Sequence, residues 1–425
     1  MKIISIFFGC ALLLLVSRTQ AQLPLGNYAL TGVTIIDADH PKALARQTVM
    51  IRGKTISDVF ADGSKPIPDS FNILSLKGKY LLPGLVDTHV HLATDPSGGD
   101  NREQTLNILR RMLYSGITTV RDMAGDARTL AGLSRDALLD DIPAPDIYYS
   151  ALMAGPVFFS DPRTASSTQG GVPGKMPFML AVTDSTNLVL AAAEAKGTGA
   201  TGIKLYANLS PQLVDRIVAE ASRQGLIVWS HAWLQGARPS DLVKAGVSSI
   251  SHAPLVIYEK RDSIPGSWKQ APHDAKFWND SLPDLSPLFR LMKAHHTLLD
   301  ATLLTYKRWG LQDSTVRGSY EIGKRITAAA YKAGVTIVTG TDDDQELFVQ
   351  KEMELLVSDA GLSNIDAIVA ATLNGAMALR LQDSRGTVSP GKLADLLVLD
   401  KDPLADINYI ESVYMVIKNG QVISK

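Results

Sequence analysis

The sequence predicts an α/β fold, in which a (β/α)8 TIM-like barrel carries a small β-sandwich domain built from both termini. In the middle of the chain, short apolar stretches alternate with amphipathic segments that often end in glycine, which is typical of parallel strands joined by helices. Both ends of the chain instead contain β-branched runs separated by Gly, Asp and Pro. We therefore assign residues 22–82 and 387–425 to the β-sandwich and residues 83–386 to the barrel, a division that suits a chain of 425 residues.

Eight apolar stretches supply the strands that a barrel of this kind requires. Each is short and apolar, as expected of strands that are covered on both faces. They span residues 80–91, 116–122, 146–151, 202–206, 226–231, 249–252, 298–303 and 335–341. Residues 256–287 break this rhythm with Pro, Trp and charged residues, and we expect a long loop there, a candidate lid over the site.

Two hairpins are predicted in the β-sandwich domain. The first has Arg52-Gly53-Lys54 as its turn. In the second, Asn419-Gly420 separates two apolar runs, and this dipeptide is a strong hairpin signal because both residues tolerate a positive φ. One hairpin therefore lies near each end of the chain, which supports a sheet domain assembled from both.

The first 21 residues predict a signal peptide. Lys2 precedes an apolar run at residues 3–16, and Thr19 and Ala21 occupy the small-residue positions before a cleavage site after Ala21. The run is short for a bilayer span, so a retained anchor is the weaker alternative, and we expect no stable membrane span after cleavage. Export to a periplasm or to the medium is the expected fate. Cys10, the single cysteine, lies inside this run, so the mature chain would offer no thiolate to a metal or a disulfide.

The charge balance excludes one class of partner. Lys and Arg together number 42, Asp and Glu number 43, and the net charge is −1. A protein that binds nucleic acid needs a basic surface, so we expect no nucleic-acid partner. The expected partner is a small-molecule substrate, and the sequence leaves the oligomeric state open, a homo-oligomer included.

Histidines at the strand ends predict a metal site. His89 and His91 lie two residues apart at the end of the first barrel strand, so both imidazoles point to one side and can hold one ion together. Taken alone, this pair fits equally well a strand that merely ends in two histidines. The other strand ends favour the metal interpretation, because a barrel brings the carboxyl ends of its strands together. These ends carry Lys204, His231, His252 and Asp342.

These residues and their sequence contexts resemble the amidohydrolase superfamily, in particular its imidazolonepropionase-like and prolidase-like members. The resemblance covers nearly the whole chain after residue 21, and it implies the fold predicted above together with a binuclear metal-dependent hydrolase. Its most specific part is the last segment, near the C-terminus. The matching segments are LPGLVDTHVH at 82–91, GITTVRD at 116–122, GIK at 202–204, SH at 230–231, SHA at 251–253, GTD at 340–342 and GTVSPGKLADLLVLD at 386–400.

The resemblance implies a particular set of metal ligands. They are His89, His91, Lys204, His231, His252 and Asp342. The first two histidines and Asp342 would hold the more buried ion, and the last two histidines would hold the other. Lys204, carboxylated by CO2, would bridge both ions as a carbamate, for which the amine must first be neutral; a structural salt bridge is the alternative role. Nitrogen and oxygen donors without thiolate suit two divalent ions, with Zn(II) expected and Mn, Co and Fe left open.

The resemblance also implies catalytic roles. Asp342 would act as general acid/base, taking the proton of a metal-bridging hydroxide and passing it to the leaving nitrogen. Tyr206 lies two residues after Lys204 and points to the same side of the strand. It would bind an oxyanion or a substrate carboxylate, and the equally weighted alternative is simple packing.

Two further residues are weaker candidates for substrate contact. Arg121, at the end of the second strand, could pair a substrate carboxylate, but an ion pair with Asp122 or Glu103 is the preferred interpretation. His273 lies in the expected lid and is a minor candidate for reaching the substrate.

The predicted function is that of an exported binuclear amidohydrolase, which cleaves the amide C–N bond of a dipeptide or an N-acyl amino acid. Hydrolysis of a cyclic amide, a lactone or a phosphotriester by the same metal pair is the main alternative. A catalytically degenerate binding protein is a third interpretation. It predicts missing ligands, whereas all the expected ligands are present in the sequence.

Overall fold

The computed structural model describes residues 25–93, 101–260, 282–342 and 349–423. Within these ranges the strands form two sheets, one from the two ends of the chain and one from its middle. The predicted signal peptide, His273 and most of the predicted loop 256–287 lie outside the described residues. None of the helices in the described ranges is long and apolar enough to cross a membrane.

The first sheet joins the two ends of the chain. In the described residues its strands are β1 Asn27–Asp37, β2 His40–Arg52, β3 Thr55–Ala61, β4 Asn72–Ser75, β5 Tyr80–Pro83, β16 Leu396–Leu399, β17 Val413–Lys418 and β18 Gln421–Ile423, numbered along the chain. Their order is β18-β17-β16-β5-β1-β2-β3, with β4 paired to β1. An apolar cluster that includes Leu30, Val49 and Val398 is buried within this domain. The predicted small β domain built from both termini is confirmed.

Both predicted hairpins are present in this sheet. The turn at Arg52-Gly53-Lys54 joins β2 to β3. Asn419 and Gly420 join β17 to β18 and have φ angles of 51° and 74°. Positive φ at both central positions is the type I′ geometry that follows the twist of the flanking strands.

The second sheet is the predicted parallel barrel. In the described residues its eight strands are β6 Leu85–Val90, β7 Ile117–Asp122, β8 Asp146–Ala154, β11 Gly202–Leu205, β12 Ile227–His231, β13 Ser249–Ser251, β14 Leu298–Asp300 and β15 Ile337–Val338. Each pairs in parallel with the next. The amide of Thr88 donates to the carbonyl of Thr339 at 2.9 Å, which brings the last strand beside the first. Two further short strands lie beside the end of β8: β10 Met179–Ala181 pairs in parallel with its last residues, and β9 Lys175–Met176 pairs antiparallel with β10.

Helices connect the barrel strands and cover them from outside. They are α1 Arg102–Tyr114, α2 Ala127–Leu138, α3 Pro162–Ser166, α4 Leu188–Gly197, α5 Pro211–Arg223, α6 Pro239–Ala245, α7 Ser286–Ala294, α8 Leu303–Gln312, α9 Arg317–Lys332, α10 Val349–Ser358, α11 Asn364–Ala370 and α12 Leu373–Ala378. Local sequence explains their limits, as in α5, where the Ser210 side chain caps the first turn and Pro211 begins the helix. Short 3-10 helices occur at Pro156–Ser160, Ala253–Lys260, Ser314–Val316 and Ile407–Glu411.

The stretch before His89 differs from the prediction of one continuous strand over residues 80–91. It forms two strands, β5 in the first sheet and β6 in the barrel, separated at Gly84. The amide of Gly84 donates to the carbonyl of Asp395 at 2.8 Å, and a Cβ atom at this position would lie 2.2 Å from Oγ1 of Thr118. Only glycine fits where the chain passes this closely from one sheet to the other. The exact domain limits given above stay a prediction.

Buried charges join the two sheets. The Arg385 guanidinium lies 3.0 Å from a carboxylate oxygen of Asp146, and the Lys418 amine lies 2.9 Å from the other oxygen. Asp146 begins barrel strand β8, whereas Lys418 ends β17 of the small domain. Because each charge has a partner, their burial at this junction is tolerated, and the small domain is held at the amino end of β8.

Candidate metal centre

The predicted ligands meet at the carboxyl ends of the barrel strands. All except Asp342 lie in a strand or within two residues of its end, so the regular barrel geometry determines where they point. They are His89 in β6, His91 just after it, Lys204 in β11, His231 at the end of β12, His252 directly after β13 and Asp342 beyond β15.

The four histidine rings form one continuous group. The ring centroids are 5.4 Å apart for His89 and His91, 5.0 Å for His89 and His252, and 4.2 Å for His231 and His252. Burial lowers the pKa of His252 to about 3 and holds the pKa of His89 and His231 well below the usual range. These three rings are therefore neutral at neutral pH, which is the form that binds a metal.

Asp342 contacts these histidines through both of its carboxylate oxygens. Oδ1 lies 3.0 Å from Nε2 of His91 and 3.5 Å from Nε2 of His89, while Oδ2 lies 3.9 Å from Nδ1 of His252. Burial raises the pKa of Asp342, but the neighbouring imidazoles together lower it far below its usual range, so the group is an anion at neutral pH. Donor atoms of His89, His252 and Asp342 lie within 4.8 Å of one another, a spacing that can hold a metal ion.

His252 provides the test of whether a metal fits this group. Its Nδ1 shares a hydrogen bond with the hydroxyl of Thr302 at 2.9 Å, whereas its Nε2 is buried and has no hydrogen-bond partner among the described residues. A buried polar atom without a partner costs free energy, and a metal ion would satisfy it. The backbone of His252, Thr302 and Asp342 also has left-handed φ angles of 76°, 50° and 49°. Such strain persists where a functional site requires a particular side-chain position.

Lys204 is buried beside His89. Its Nζ lies 3.4 Å from Nε2 of His89 and 3.4 Å from the carbonyl oxygen of Met123. Burial lowers the pKa of Lys204 to about 8, although Asp342 and Asp300 act in the opposite direction. A fraction of the amine is then neutral near pH 7, which is the form that can react with CO2.

Asp300, the last residue of β14, orients His89 through the ring nitrogen that does not face Asp342. Its Oδ2 accepts a hydrogen bond from Nδ1 of His89 at 2.8 Å and another from the hydroxyl of Ser251 at 2.8 Å. This contact places the proton of His89 on Nδ1 and leaves Nε2 to face Asp342. A carboxylate in this position is the usual partner of a metal-binding histidine.

Arg121 acts on the site through Asp300. Its Nη2 lies 3.6 Å from Oδ2 of Asp300, and its guanidinium lies 4.7 Å from the ring of Trp229. The preferred sequence interpretation, an ion pair with Asp122 or Glu103, is wrong. Arg121 and Asp122 are consecutive residues of β7, so their side chains point to opposite sides of the strand. The side chain of Arg121 therefore reaches Asp300 and not Asp122.

Asp87 connects β6 to the segment that carries Asp342. Its carboxylate accepts hydrogen bonds from the amide of His89 at 3.1 Å, the amide of Thr341 at 3.1 Å and the hydroxyl of Thr341 at 2.8 Å. Burial raises the pKa of Asp87 to about 7. Asp87 therefore holds Thr341, the residue before Asp342, against β6, the strand that also carries His89.

Tyr206 borders the histidine group. Its ring lies 4.1 Å from the ring of His231 and 4.4 Å from that of Phe158, and the amine of Lys204 lies 5.3 Å from its centroid. Arg163, in α3, donates a hydrogen bond to its hydroxyl. The sequence analysis missed Arg163 because its segment carries no motif. The structure nevertheless brings a phenol and a guanidinium together next to the imidazoles.

A sequence model of the Amidohydrolase family matches residues 80–423. The chain belongs to this family. The match confirms the resemblance found in the sequence, and it makes the chain a hydrolase that acts on carbon–nitrogen bonds. The matched range includes all the predicted metal ligands.

Two relatives match this amidohydrolase over most of its length. Ochratoxinase from Aspergillus niger is 25% identical over 377 residues, which cover 78% of this chain and 72% of the relative. Imidazolonepropionase from Micrococcus luteus is 24% identical over 377 residues, which cover 80% of this chain and 85% of the relative. The predicted likeness to imidazolonepropionases is confirmed by the second match.

Solved structures share the fold of the amidohydrolase. A Xaa-Pro dipeptidase with bound methionine superimposes with a TM-score of 0.74 at 23% identity and covers 94% of this chain and 100% of its own. A putative prolidase from Bifidobacterium longum gives 0.71 at 25% identity, covering 95% and 96%. The structure of A. niger ochratoxinase gives 0.74 at 21% identity, covering 94% and 95%. The predicted barrel with an additional β domain is confirmed by these matches.

Three carboxylates that support the site, those of Asp87, Asp300 and Glu352, were given no role in the sequence analysis. Asp300 had a recognisable signal, since it closes a buried strand as several predicted ligands do. Glu352, in α10, had none. It is buried, and its two oxygens accept hydrogen bonds from the amides of Leu303 at 2.9 Å and Leu304 at 2.8 Å. Glu352 therefore caps the start of α8, a role that depends on tertiary contacts alone.

Proposed function

We propose that this amidohydrolase is a metal-dependent amidase that releases an amino acid with a free carboxylate from a dipeptide or an N-acyl amino acid. The observation that carries the proposal is the unpartnered Nε2 of His252 within a buried group of neutral imidazoles around Asp342. This set of imidazoles and a carboxylate fits divalent cations, and we take Zn(II) as the ion because imidazole is one of its preferred ligands and the reaction requires no redox change.

The proposed site would hold two divalent ions. His89, His91 and Asp342 would hold one, and His231 and His252 would hold the other. Lys204, as a carbamate formed with CO2, would be the ligand common to both. What supports the bridging role is that Lys204 is buried within 3.4 Å of the imidazole of His89, and no carboxylate of the described residues forms an ion pair with it. When bound, a pair of divalent ions supplies Lewis acidity, which lowers the pKa of water and polarises the scissile carbonyl.

Asp342 performs the proton transfers. It takes a proton from the attacking water and gives it to the leaving nitrogen, so one water is consumed and a carboxylic acid and an amine are released. Its position supports this role, because its carboxylate lies among His89, His91 and His252 and its side chain is 13% exposed rather than fully buried.

Arg163 and Tyr206 recognise the carboxylate of the leaving amino acid. The Arg163 guanidinium is half-exposed, it is oriented by a pair of hydrogen bonds to Asp161, and it contacts the hydroxyl of Tyr206 beside His231. A guanidinium and a phenol are suitable donors for a carboxylate. The names of the structural relatives, a Xaa-Pro dipeptidase and a prolidase crystallised with N-methylphosphonate-L-proline, agree with such a substrate.

The test compares free and masked carboxylates. Purified enzyme reconstituted with Zn(II) is incubated with a panel of dipeptides and N-acyl amino acids and with the same compounds amidated at the carboxylate, and the released amine is measured. We expect hydrolysis of free acids, with kcat/KM at least roughly tenfold lower after amidation, since a charged hydrogen-bond pair is lost. Arg163→Met should raise KM for the free acids and leave kcat largely intact. Turnover confined to cyclic amides, lactones or phosphotriesters would overturn the proposal.

We also propose that the enzyme is exported and that a signal peptide is cleaved after Ala21. The support is the order of Lys2, the apolar run at residues 3–16 and the small residues at 19 and 21. N-terminal sequencing of the protein recovered outside the cytoplasm should begin at Gln22. A native N-terminus at Met1 in the membrane fraction would instead indicate a retained anchor.

A further inference from the structure

Two aromatic residues of α8, Tyr306 and Trp309, continue the group of rings beyond His252. The ring of Tyr306 lies 6.1 Å from that of His252, and the indole of Trp309 meets Tyr306 edge-on at 5.4 Å. Tyr306 is 6% exposed, whereas Trp309 is 41% exposed. The pair therefore leads from the buried histidines to the protein surface.

Together with the residues already described, this pair completes an arc of rings. From one end to the other the arc runs Phe158, Tyr206, His231, His252, Tyr306 and Trp309, with neighbouring centroids between 4.1 and 6.1 Å apart. His231 and His252 occupy its middle, and Arg163 contacts Tyr206 on one side of them. With the amino-acid half of the substrate at Arg163, as proposed above, Tyr306 and Trp309 on the other side are left for the acyl half.

The arrangement of α8 makes this surface rigid. Thr302, directly before the helix, shares a hydrogen bond with His252, and Glu352 accepts the first two amides of the helix. Burial raises the pKa of the Tyr306 phenol well above its usual range, and the nearby carboxylate of Asp342 adds to the effect. The phenol therefore stays neutral while its ring faces the reacting centre.

We infer that Tyr306 and Trp309 form a subsite for a planar, aromatic acyl group on the carbonyl side of the scissile amide. This inference rests on the proposed function and adds the class of acyl group. An aromatic ring placed against a fixed phenol and an indole gains edge-to-face or offset contacts in addition to the burial of its surface. A short acyl group such as acetyl cannot span from the histidines to Trp309 and gains neither.

The test uses two substrates that share one amine half. The amino acid that gives the fastest hydrolysis is prepared as its N-benzoyl and N-acetyl derivatives, so contacts at Arg163 are the same in both. Wild-type enzyme should prefer the benzoyl compound, and Trp309→Ala should lower its kcat/KM on the order of tenfold without changing that of the acetyl compound. Trp309→Phe is the matched control and should retain most of the preference. Trp309 is 41% exposed, so the substitution should not prevent folding.

A binding measurement separates recognition from turnover. The Asp342→Asn variant, in which turnover of both compounds should be lower by a factor of roughly 100 or more, should bind the benzoyl derivative more tightly than the acetyl derivative in a calorimetric titration. Adding Trp309→Ala should abolish the difference. Equal kcat/KM for both substrates in the wild type, or an equal loss on both in Trp309→Ala, would overturn the subsite and leave the proposed function intact. Hydrolysis of neither substrate, nor of any member of the panel, would overturn the proposed function itself.

Discussion

Replacement of Asp300 by asparagine tests how the hydrogen bond and the charge of this carboxylate support His89. In the wild type, Nδ1 of His89 lies 2.8 Å from the carboxylate of Asp300. Asparagine has nearly the same volume and keeps one oxygen that can accept the hydrogen bond from this nitrogen. It removes the negative charge that both His89 and Arg121 face inside the barrel. The change therefore separates the effect of charge from that of side-chain size.

Two free energies change in this variant. Loss of the carboxylate behind a metal-binding histidine typically costs 10- to 100-fold in metal affinity, about 1.4–2.7 kcal/mol. Arg121 also loses its partner at 3.6 Å, and breaking a buried ion pair typically costs about 3–5 kcal/mol of stability. We expect the lower part of that range, because the charge of Asp87 also favours the protonated form of Arg121.

The assay is competition for Zn(II) against a chromophoric chelator, with urea unfolding of the metal-free proteins measured in parallel. Ser251→Ala is the matched control, since it removes the other hydrogen bond to the same oxygen, at 2.8 Å, and keeps the charge. The control should lose no more than a few-fold in affinity, while Asp300→Asn loses tenfold or more. Wild-type zinc affinity in Asp300→Asn would refute the supporting role that the structure gives to this carboxylate.

Three further substitutions have distinct expected outcomes. Asp342→Asn should retain at least one bound metal ion but lose turnover by a factor of roughly 100 or more, because the proton acceptor is gone while an oxygen ligand remains; full activity would contradict its role. Gly340→Ala should destabilise the protein by about 1–3 kcal/mol and reduce its metal content, since the new Cβ would lie 2.3 Å from Oδ1 of Asp300; unchanged melting and metal content would count against the close packing seen there. Burial raises the pKa of Glu352 from 4.5 to about 8, so the unfolded chain ionises first and the contribution of Glu352 to stability is lost as pH rises through that interval. Glu352→Gln removes this contribution, so the unfolding free energy of the wild type minus that of the variant should decrease from pH 5 to pH 8 in urea unfolding, and a difference that does not change with pH would refute the shift.

The fold could be predicted from the sequence because its signals are local. Apolar stretches that alternate with amphipathic segments identified all eight barrel strands, and Asn419-Gly420 identified a hairpin. The limits of elements were less predictable. The seventh strand was expected to reach residue 303, but it ends at Asp300, because Thr302 turns the chain with a φ of 50° and α8 begins at Leu303. The break at Gly84 was equally hidden, since it depends on a close contact with Thr118.

The candidate site was predictable where a strand end determines the direction of a side chain. His89, Lys204, His231 and His252 have this property, and the structure brings them together. Arg163 and Glu352 lack this property, because each lies in a helix whose position depends on the packing of the whole barrel. Arg163 contacts Tyr206 from α3, and Glu352 of α10 contacts the start of α8. A single sequence contains no local pattern that marks such residues.

Whether the enzyme holds two metal ions or one depends on the proposed bridging role of Lys204. The most direct measurement is the metal content of wild type and Lys204→Ala by elemental analysis, after reconstitution with zinc in the presence and absence of bicarbonate. We predict about two zinc ions per chain in the wild type, fewer without bicarbonate, and a marked loss in Lys204→Ala that bicarbonate does not reverse. One ion per chain, unchanged by the substitution and by bicarbonate, would contradict the bridged pair and indicate a mononuclear site.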